Sequence, residues 1–167
     1  MKLIGLTGAA GAGKDTAAMF LEEEYDYHRY AFAWPVKSAA SEKFGIPANF
    51  FEDPELKDMP VEPWKMSPRQ MAEFEGTECG REYYDEDIWI KRAQIAYDNT
   101  LEMSHRMFGP GGLVVSDVRF NNEAHWIHAN GGDVVNIYNP AAAYSATHKS
   151  AGGIDASLVD YTIQNDG

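Results

Sequence analysis

An α/β fold is predicted: a five-stranded parallel sheet with helices on both faces and a helical insertion between the second and third strands. The first observation is an apolar run at residues 2–7 that leads straight into a glycine-rich loop and a helix. The second is the alternation of short apolar runs with stretches of helical period along the chain. The third is a proline-rich, then helical, stretch over 46–107 that interrupts this alternation. At 167 residues the chain has the size of one domain. It is read as a core over 1–45 and 108–167 carrying the insertion over 46–107.

Residues 2–7 are nearly all apolar, as a central parallel strand buried on both faces requires. Residues 14–24 put Ala17, Phe20 and Leu21 on one helical face. Glu22, Glu23 and Glu24 end that helix where its dipole disfavours anions, so this end is expected to be solvated. A second strand is expected over 27–33, and Pro35 suits the first turn of a helix reaching Phe44. Pro47, Pro54, Pro60 and Pro63 make 45–66 a surface excursion with little regular structure.

Ser67 then serves as N-cap and Pro68 as first residue of a helix that stops near Gly76. Asp85 to Asp87 offer caps for a long helix to about Met107, with Trp89, Ala93, Ala96, Tyr97 and Leu101 as its apolar face. Gly109, Pro110, Gly111 and Gly112 end it. A third strand over 113–116 runs into Asp117. A helix over 121–130 closes at Gly131 and Gly132, a fourth strand spans 133–138, a loop 139–153, and a fifth strand 159–163.

Composition narrows the function. The formal charge is −12 and the pI about 4.7. Such a surface repels nucleic-acid backbones, so no nucleic-acid partner is expected. The single Cys79 excludes a disulfide framework and suits a reducing compartment. No run reaches the length of a membrane span and the N-terminus is strand-like, so a cytoplasmic protein without a membrane partner is expected.

The chemistry centres on Gly8, Ala9, Ala10, Gly11, Ala12, Gly13, Lys14, Asp15 and Thr16. Glycines let several backbone N–H groups point inward, the following helix adds its positive end, and the Lys14 ammonium reaches the β/γ-phosphates of a nucleotide. At about 7% per residue type, Gly-x4-Gly-Lys-x-Thr arises by chance at roughly 2 in 100,000 positions. The flanking strand and helix lower that further. Where the commonest loop has Ser or Thr directly after the lysine, this chain has Asp15, with Thr16 next. That form resembles the loop of nucleoside monophosphate kinases more than that of switch GTPases or motor ATPases.

Asp117 and Arg119 follow a buried strand and so fall at the carboxyl edge of the sheet, where ligands of such sheets bind. An acid there can help hold Mg²⁺ and an arginine can fork onto a phosphate. Asp117 and Asp15 are therefore the candidate magnesium ligands. Arg69, Arg81 and the pair Lys91 and Arg92 bring cations to the insertion, as a second phosphate-bearing substrate would require. His125 and His128 have helical spacing but lack the further ligands of a zinc site.

The ordered set of these motifs resembles the deoxynucleoside monophosphate kinases of phages, within the P-loop kinase superfamily. It comprises the loop from Gly8 to Thr16, Ala33-Trp34-Pro35-Val36-Lys37, and Pro68-Arg69-Gln70 leading to Gly76-Thr77. It continues through Asp87-x-Trp89-x-Lys91, Asp117-x-Arg119 with Asn122-Glu123, and Ile163-x-Asn165-Asp166-Gly167. The resemblance covers nearly the whole chain and implies a P-loop kinase fold. It implies transfer of the γ-phosphoryl of ATP to a deoxynucleoside monophosphate, with Mg²⁺, in the cytoplasm of a host cell if the chain is phage-encoded.

By the same resemblance Lys14 and the loop amides hold the ATP phosphates, and the Asn165 loop lies near the adenine. Arg69 and Arg119 grip the acceptor phosphate, with Lys37, Thr77, Trp89 and Lys91 lining that side. The family often has His-x-Ser/Thr-Glu after the fourth strand. Here Ala151 follows His148, Lys149 and Ser150, and Asn139-Pro140 stands where relatives can carry Arg, which implies a cation-poor lid. Relatives continue into a last helix beyond the position of Gly167, so the chain is read either as minimal or as lacking a C-terminal segment. Oligomeric state is left open, a homodimer among the alternatives. Two other functions stay in view: a P-loop kinase of another phosphorylated metabolite, and a nucleotide-gated binding module. The latter would be expected to carry a guanine-reading Asn-Lys-x-Asp segment, which this chain lacks.

Overall fold

A computed structural model describes residues 1–105, 109, 111–142 and 153–166. The chain divides into two compact units. One comprises Met1–Ala31 with the described residues from Ala93 onward, the other Phe32–Arg92.

The first unit is built on β1 (Lys2–Thr7), β2 (Tyr27–Tyr30), β3 (Gly112–Val115), β4 (Asp133–Tyr138) and β5 (Tyr161–Gln164). They form one sheet in the order β2-β3-β1-β4-β5, every pairing parallel. β3 is buried along its whole length, as expected of an interior strand covered on both sides. Leu3 pairs with Leu113 and Gly5 with Val115 on one side of β1, while Leu6 pairs with Val135 on the other.

Helix α1 (Lys14–Tyr25) packs Ala17, Ala18 and Leu21 against Ile4, Leu6 and Val114. Helix α5 (Asn121–Ala129) takes the opposite face. A Cβ on Gly5 would stand 2.2 Å from Ile127 Cδ1, so only glycine lets α5 lie this close to β1. Since Gly5 alternates with Ile4 and Leu6 along the strand, the two helices cover opposite faces of the sheet. The predicted layers are therefore present.

The second unit carries α2 (Ala33–Phe44), a 3₁₀ turn at Ala48–Phe51, α3 (Pro68–Phe74) and a π-helix over Glu75–Tyr84. Ala40, Ile46, Phe51 and Met71 form its buried cluster. As expected, Ser67 caps α3: its hydroxyl accepts from Gln70 N at 3.3 Å, and Gln70 Oε1 accepts from Ser67 N at 2.9 Å. Helix α4 (Ile88–Ser104) starts in this unit and ends in the other. Asp85 helps to start it by accepting from Asp87 N at 2.8 Å.

Three boundaries differ from expectation by more than a residue or carry a visible cause. β2 stops at Tyr30 and α2 starts at Ala33, because Ala33 and Trp34 supply a first turn in which Pro35, lacking an N–H, leaves no bond unmade. β5 begins at Tyr161, although Asp160 N already donates to Val134 O at 2.9 Å. The third is larger. The helix expected to stop near Gly76 continues as a π-helix to Tyr84. The Trp89 indole donates to Gly76 O at 2.8 Å, and a Cβ on Gly80 would meet the same ring at 2.8 Å. A large ring pressed onto two glycines favours the wider ladder over an α-helical one. Residues 143–152, which contain the expected lid at His148 to Ala151, lie outside the described residues.

Candidate active site

The phosphate loop joins β1 to α1 in the first unit. Gly8, Gly11 and Gly13 adopt φ of 135°, 76° and 102°, conformations open to glycine but not to ordinary residues. A side chain on Gly8 would collide with Ile137 O at 2.3 Å, whereas a Cβ on Gly11 would find open space within 4 Å. Ala9 and Ala12 are buried against Ile137 and anchor the loop from below. Gly13 is the N-cap of α1, and no side chain caps it. The amides of Lys14, Asp15 and Thr16 therefore open the helix without a side-chain acceptor.

Lys14 folds back over this loop. Its Nζ donates to Gly8 O at 2.9 Å and to Ala9 O at 2.8 Å. Burial holds its pKa below the ordinary 10.5, and the Arg119 guanidinium lowers it further, against the opposing pull of Asp15 and Asp117. Three charged side chains predicted from sequence, Arg119, Asp15 and Asp117, thus act on the fourth, Lys14. Asp117 is buried just past β3, while Asp15, Thr16, Ala10 and Arg119 are exposed.

Asn165, placed near the adenine by resemblance, gives its side-chain amide to the loop. Nδ2 donates to Ala12 O at 3.0 Å, and Asn165 N donates to Tyr138 O at 2.7 Å. A Cβ on Gly13 would come within 2.6 Å of its Nδ2. Asn165 is thus a strut between the end of β5 and the phosphate loop.

Sequence reasoning gave no role to Glu123, which is 1% exposed. Its Oε2 accepts from Arg119 N at 2.7 Å and Phe120 N at 3.1 Å. The available signal was an acid three residues into a helix. His128, which with His125 lacks the further ligands of a zinc site, bonds Asp160 at 2.8 Å. Among the described residues no group of three or more His, Cys, Asp or Glu side chains could hold a metal by itself.

The second unit holds Lys37, Arg69, Thr77, Arg81, Trp89 and Lys91. Its cations have internal partners. Lys37 Nζ lies 2.9 Å from both Glu52 oxygens. Arg69 forks onto Asp58 through Nε and Nη2, which lies 3.1 Å from Oδ2. Lys91 pairs with Asp85, and Arg81 Nη1 donates to Glu86 O at 3.1 Å. Thr77 is buried in the π-helix. Trp89 is 6% exposed with its indole N–H committed to Gly76, so it packs the π-helix and offers no free ring face. An open hollow of about 320 Å³ beside Lys37 is lined by Trp34, Ser38, Ser41, Asn49 and Glu52.

With that geometry in view, known proteins add a family. A protein of Acanthamoeba polyphaga mimivirus with the provisional name deoxynucleotide monophosphate kinase is 34% identical, over 90% of this chain and 80% of its own length. The chain belongs to the deoxynucleotide monophosphate kinase family. The deoxynucleoside-5′-monophosphate kinase of Escherichia phage T5 is 26% identical across 98% of this chain and 89% of its own. Both matches extend over more of the chain than either unit alone. A crystal structure of TT1252 from Thermus thermophilus shares the fold, with a TM-score of 0.52 at 16% identity, covering 99% of this chain and 89% of that one. No protein-family model matches the chain. Among the described residues no helix is long and apolar enough to cross a membrane.

Proposed function

We propose that this kinase transfers the γ-phosphoryl group of ATP to a deoxynucleoside monophosphate, giving ADP and the deoxynucleoside diphosphate. The observation that carries the reading is the Lys14 ammonium. It is half-buried and rests on two neutral carbonyls inside a glycine-built loop at an uncapped helix start. That arrangement has positive potential and donors to spare, which is what a polyphosphate supplies charge for.

The residues fit both groups the reaction needs. The open space at Gly11 and the first-turn amides accommodate ATP phosphates. Mg²⁺ in nucleotide sites is held by one or two carboxylates with phosphate and water oxygens completing the shell. Asp117 and Asp15, both felt by Lys14, supply that number. When bound, the ion would neutralise charge on the β- and γ-phosphate oxygens.

No general base is needed. A phosphate monoester has its second pKa at about 6, so the acceptor is already largely dianionic near neutrality. The protein's task is to place two polyanions in line and to stabilise charge on the moving phosphoryl group. Lys14 and the amides from Gly8 to Thr16 hold the donor phosphates, and Asn165 keeps their loop in shape. Arg119 takes the acceptor phosphate, a role also given to Arg69 of the second unit. Lys37, Thr77, Arg81 and Lys91 are the remaining acceptor-side residues, with the Trp34-lined hollow as a place for a base. The reaction draws on nucleotide pools of the cytoplasm, where the protein is placed on this reading.

A coupled ADP-release assay over a panel of monophosphates tests this. Turnover of at least one deoxynucleoside monophosphate is expected. Turnover only of some other phosphorylated metabolite, or tight nucleotide binding without any acceptor, would overturn it.

A further inference from the structure

The turn that presents Arg119 is held by a buried charge. Just upstream, Val118 N donates to Leu6 O at 3.0 Å, which fixes the chain on β1. Just downstream, Asn121 and Asp155 bond reciprocally, Nδ2 to Oδ2 at 2.7 Å and Asp155 N to Asn121 Oδ1 at 2.9 Å. Between these two fixed points lie Arg119 and Phe120, and Glu123 Oε2 accepts the N–H of each.

Ordinary capping accounts for only one of these two bonds. A helix cap needs the bond from Phe120, the residue that precedes α5. The shorter bond, 2.7 Å against 3.1 Å, goes to Arg119, one residue further out. The start of α5 is already tied down by Asn121 and Asp155. Burying a carboxylate is costly unless charge-assisted hydrogen bonds compensate it. Here part of that compensation comes from the backbone N–H of the arginine.

We propose that Glu123 is the positioning residue of Arg119: its buried carboxylate fixes the backbone from which the guanidinium reaches the acceptor phosphate. This rests on the reading above that Arg119 grips that phosphate. Glu123 itself touches no substrate. Its effect passes through the direction in which Arg119 leaves the sheet edge, and a guanidinium held at fixed angle forks onto phosphate better than a wandering one.

Steady-state kinetics of Glu123→Ala, Glu123→Gln, Arg119→Ala and the double variant Arg119→Ala/Glu123→Ala test it, with thermal melting in parallel. Glu123→Ala should raise KM for the deoxynucleoside monophosphate about tenfold or more, as loss of a supporting partner does. KM for ATP should move less than about twofold on the same scale. Glu123→Gln keeps an oxygen for both N–H groups but loses the charge, so a smaller rise in the same constant is expected, and this variant carries the test if the alanine form does not fold. The double variant should be no worse than Arg119→Ala, because the two act as one unit. A lowered Tm with unchanged acceptor KM in both Glu123 variants, or equal rises in both KM values, would overturn the proposal. So would a double variant whose effects multiply. If Arg119→Ala itself leaves the acceptor KM unchanged, both this inference and the role of Arg119 fall, while turnover of deoxynucleoside monophosphates by the unmodified enzyme keeps the proposed reaction standing.

Discussion

In the first unit the Lys14 ammonium rests on two neutral carbonyls, whereas in the second Lys37, Arg69 and Lys91 each rest on a carboxylate. The difference is one of readiness. A carbonyl satisfies a hydrogen bond without cancelling charge, so Lys14 keeps its field for an incoming polyphosphate. A carboxylate cancels it, so a phosphate reaching Arg69 must first displace Asp58. Exposed ion pairs exchange partners cheaply, which makes displacement feasible but competitive. On the proposed reading, the donor phosphates meet a prepared site, while the acceptor phosphate meets cations that must be recruited.

The sharpest way to break this contrast is Lys14→Ala. It should lower kcat by about a thousandfold or more, the scale of a lost charge on a moving phosphoryl group, with far-UV circular dichroism unchanged. A loss below tenfold would contradict the role given to Lys14. Arg69→Ala should come next, raising the acceptor KM about 10- to 100-fold with KM for ATP nearly constant, as measured by initial rates at varied monophosphate.

The pH profile sharpens the contrast from the lysine side. Burial and Arg119 hold Lys14 below 10.5, and only its protonated form attracts phosphate. In the free enzyme, kcat/KM for ATP should therefore decline along an alkaline limb that starts below 10.5. A limb at or above that value would mean that Lys14 is not desolvated. The smallest effect should come from Asp58→Asn. Asp58 is held ionised below its usual range by its hydrogen bond from Arg69, so removing its charge frees the guanidinium. The acceptor KM should fall by about two- to fivefold at low salt, where exposed pairs weigh most. A rise would show that Asp58 orients Arg69 rather than competing for it.

What could be read from the chain beforehand follows the same division. β1, the loop from Gly8 to Thr16 and the cap at Ser67 were legible because each depends on neighbours within a few residues. The parallel sheet was legible because β3 is a short apolar run between two helices and β4 is another that follows a helix. Ion-pair partners were not. Arg69 meets Asp58 across 11 residues and Lys37 meets Glu52 across 15, and only the path of the proline-rich segment decides those pairings. The π-helix was hidden for a related reason, since it depends on an indole that arrives 13 residues after Gly76. Asn165 reaches Ala12 across 153 residues. Its place in the terminal motif could be seen in the sequence, but that it braces the loop could not.

The most direct test of the division is calorimetric titration of the unmodified kinase and of Lys14→Ala, each with ATP and, separately, with a deoxynucleoside monophosphate, in magnesium buffer. The unmodified enzyme should bind both, and Lys14→Ala should lose the ATP heat while keeping the monophosphate heat. Loss of both, or retention of both, would contradict the account.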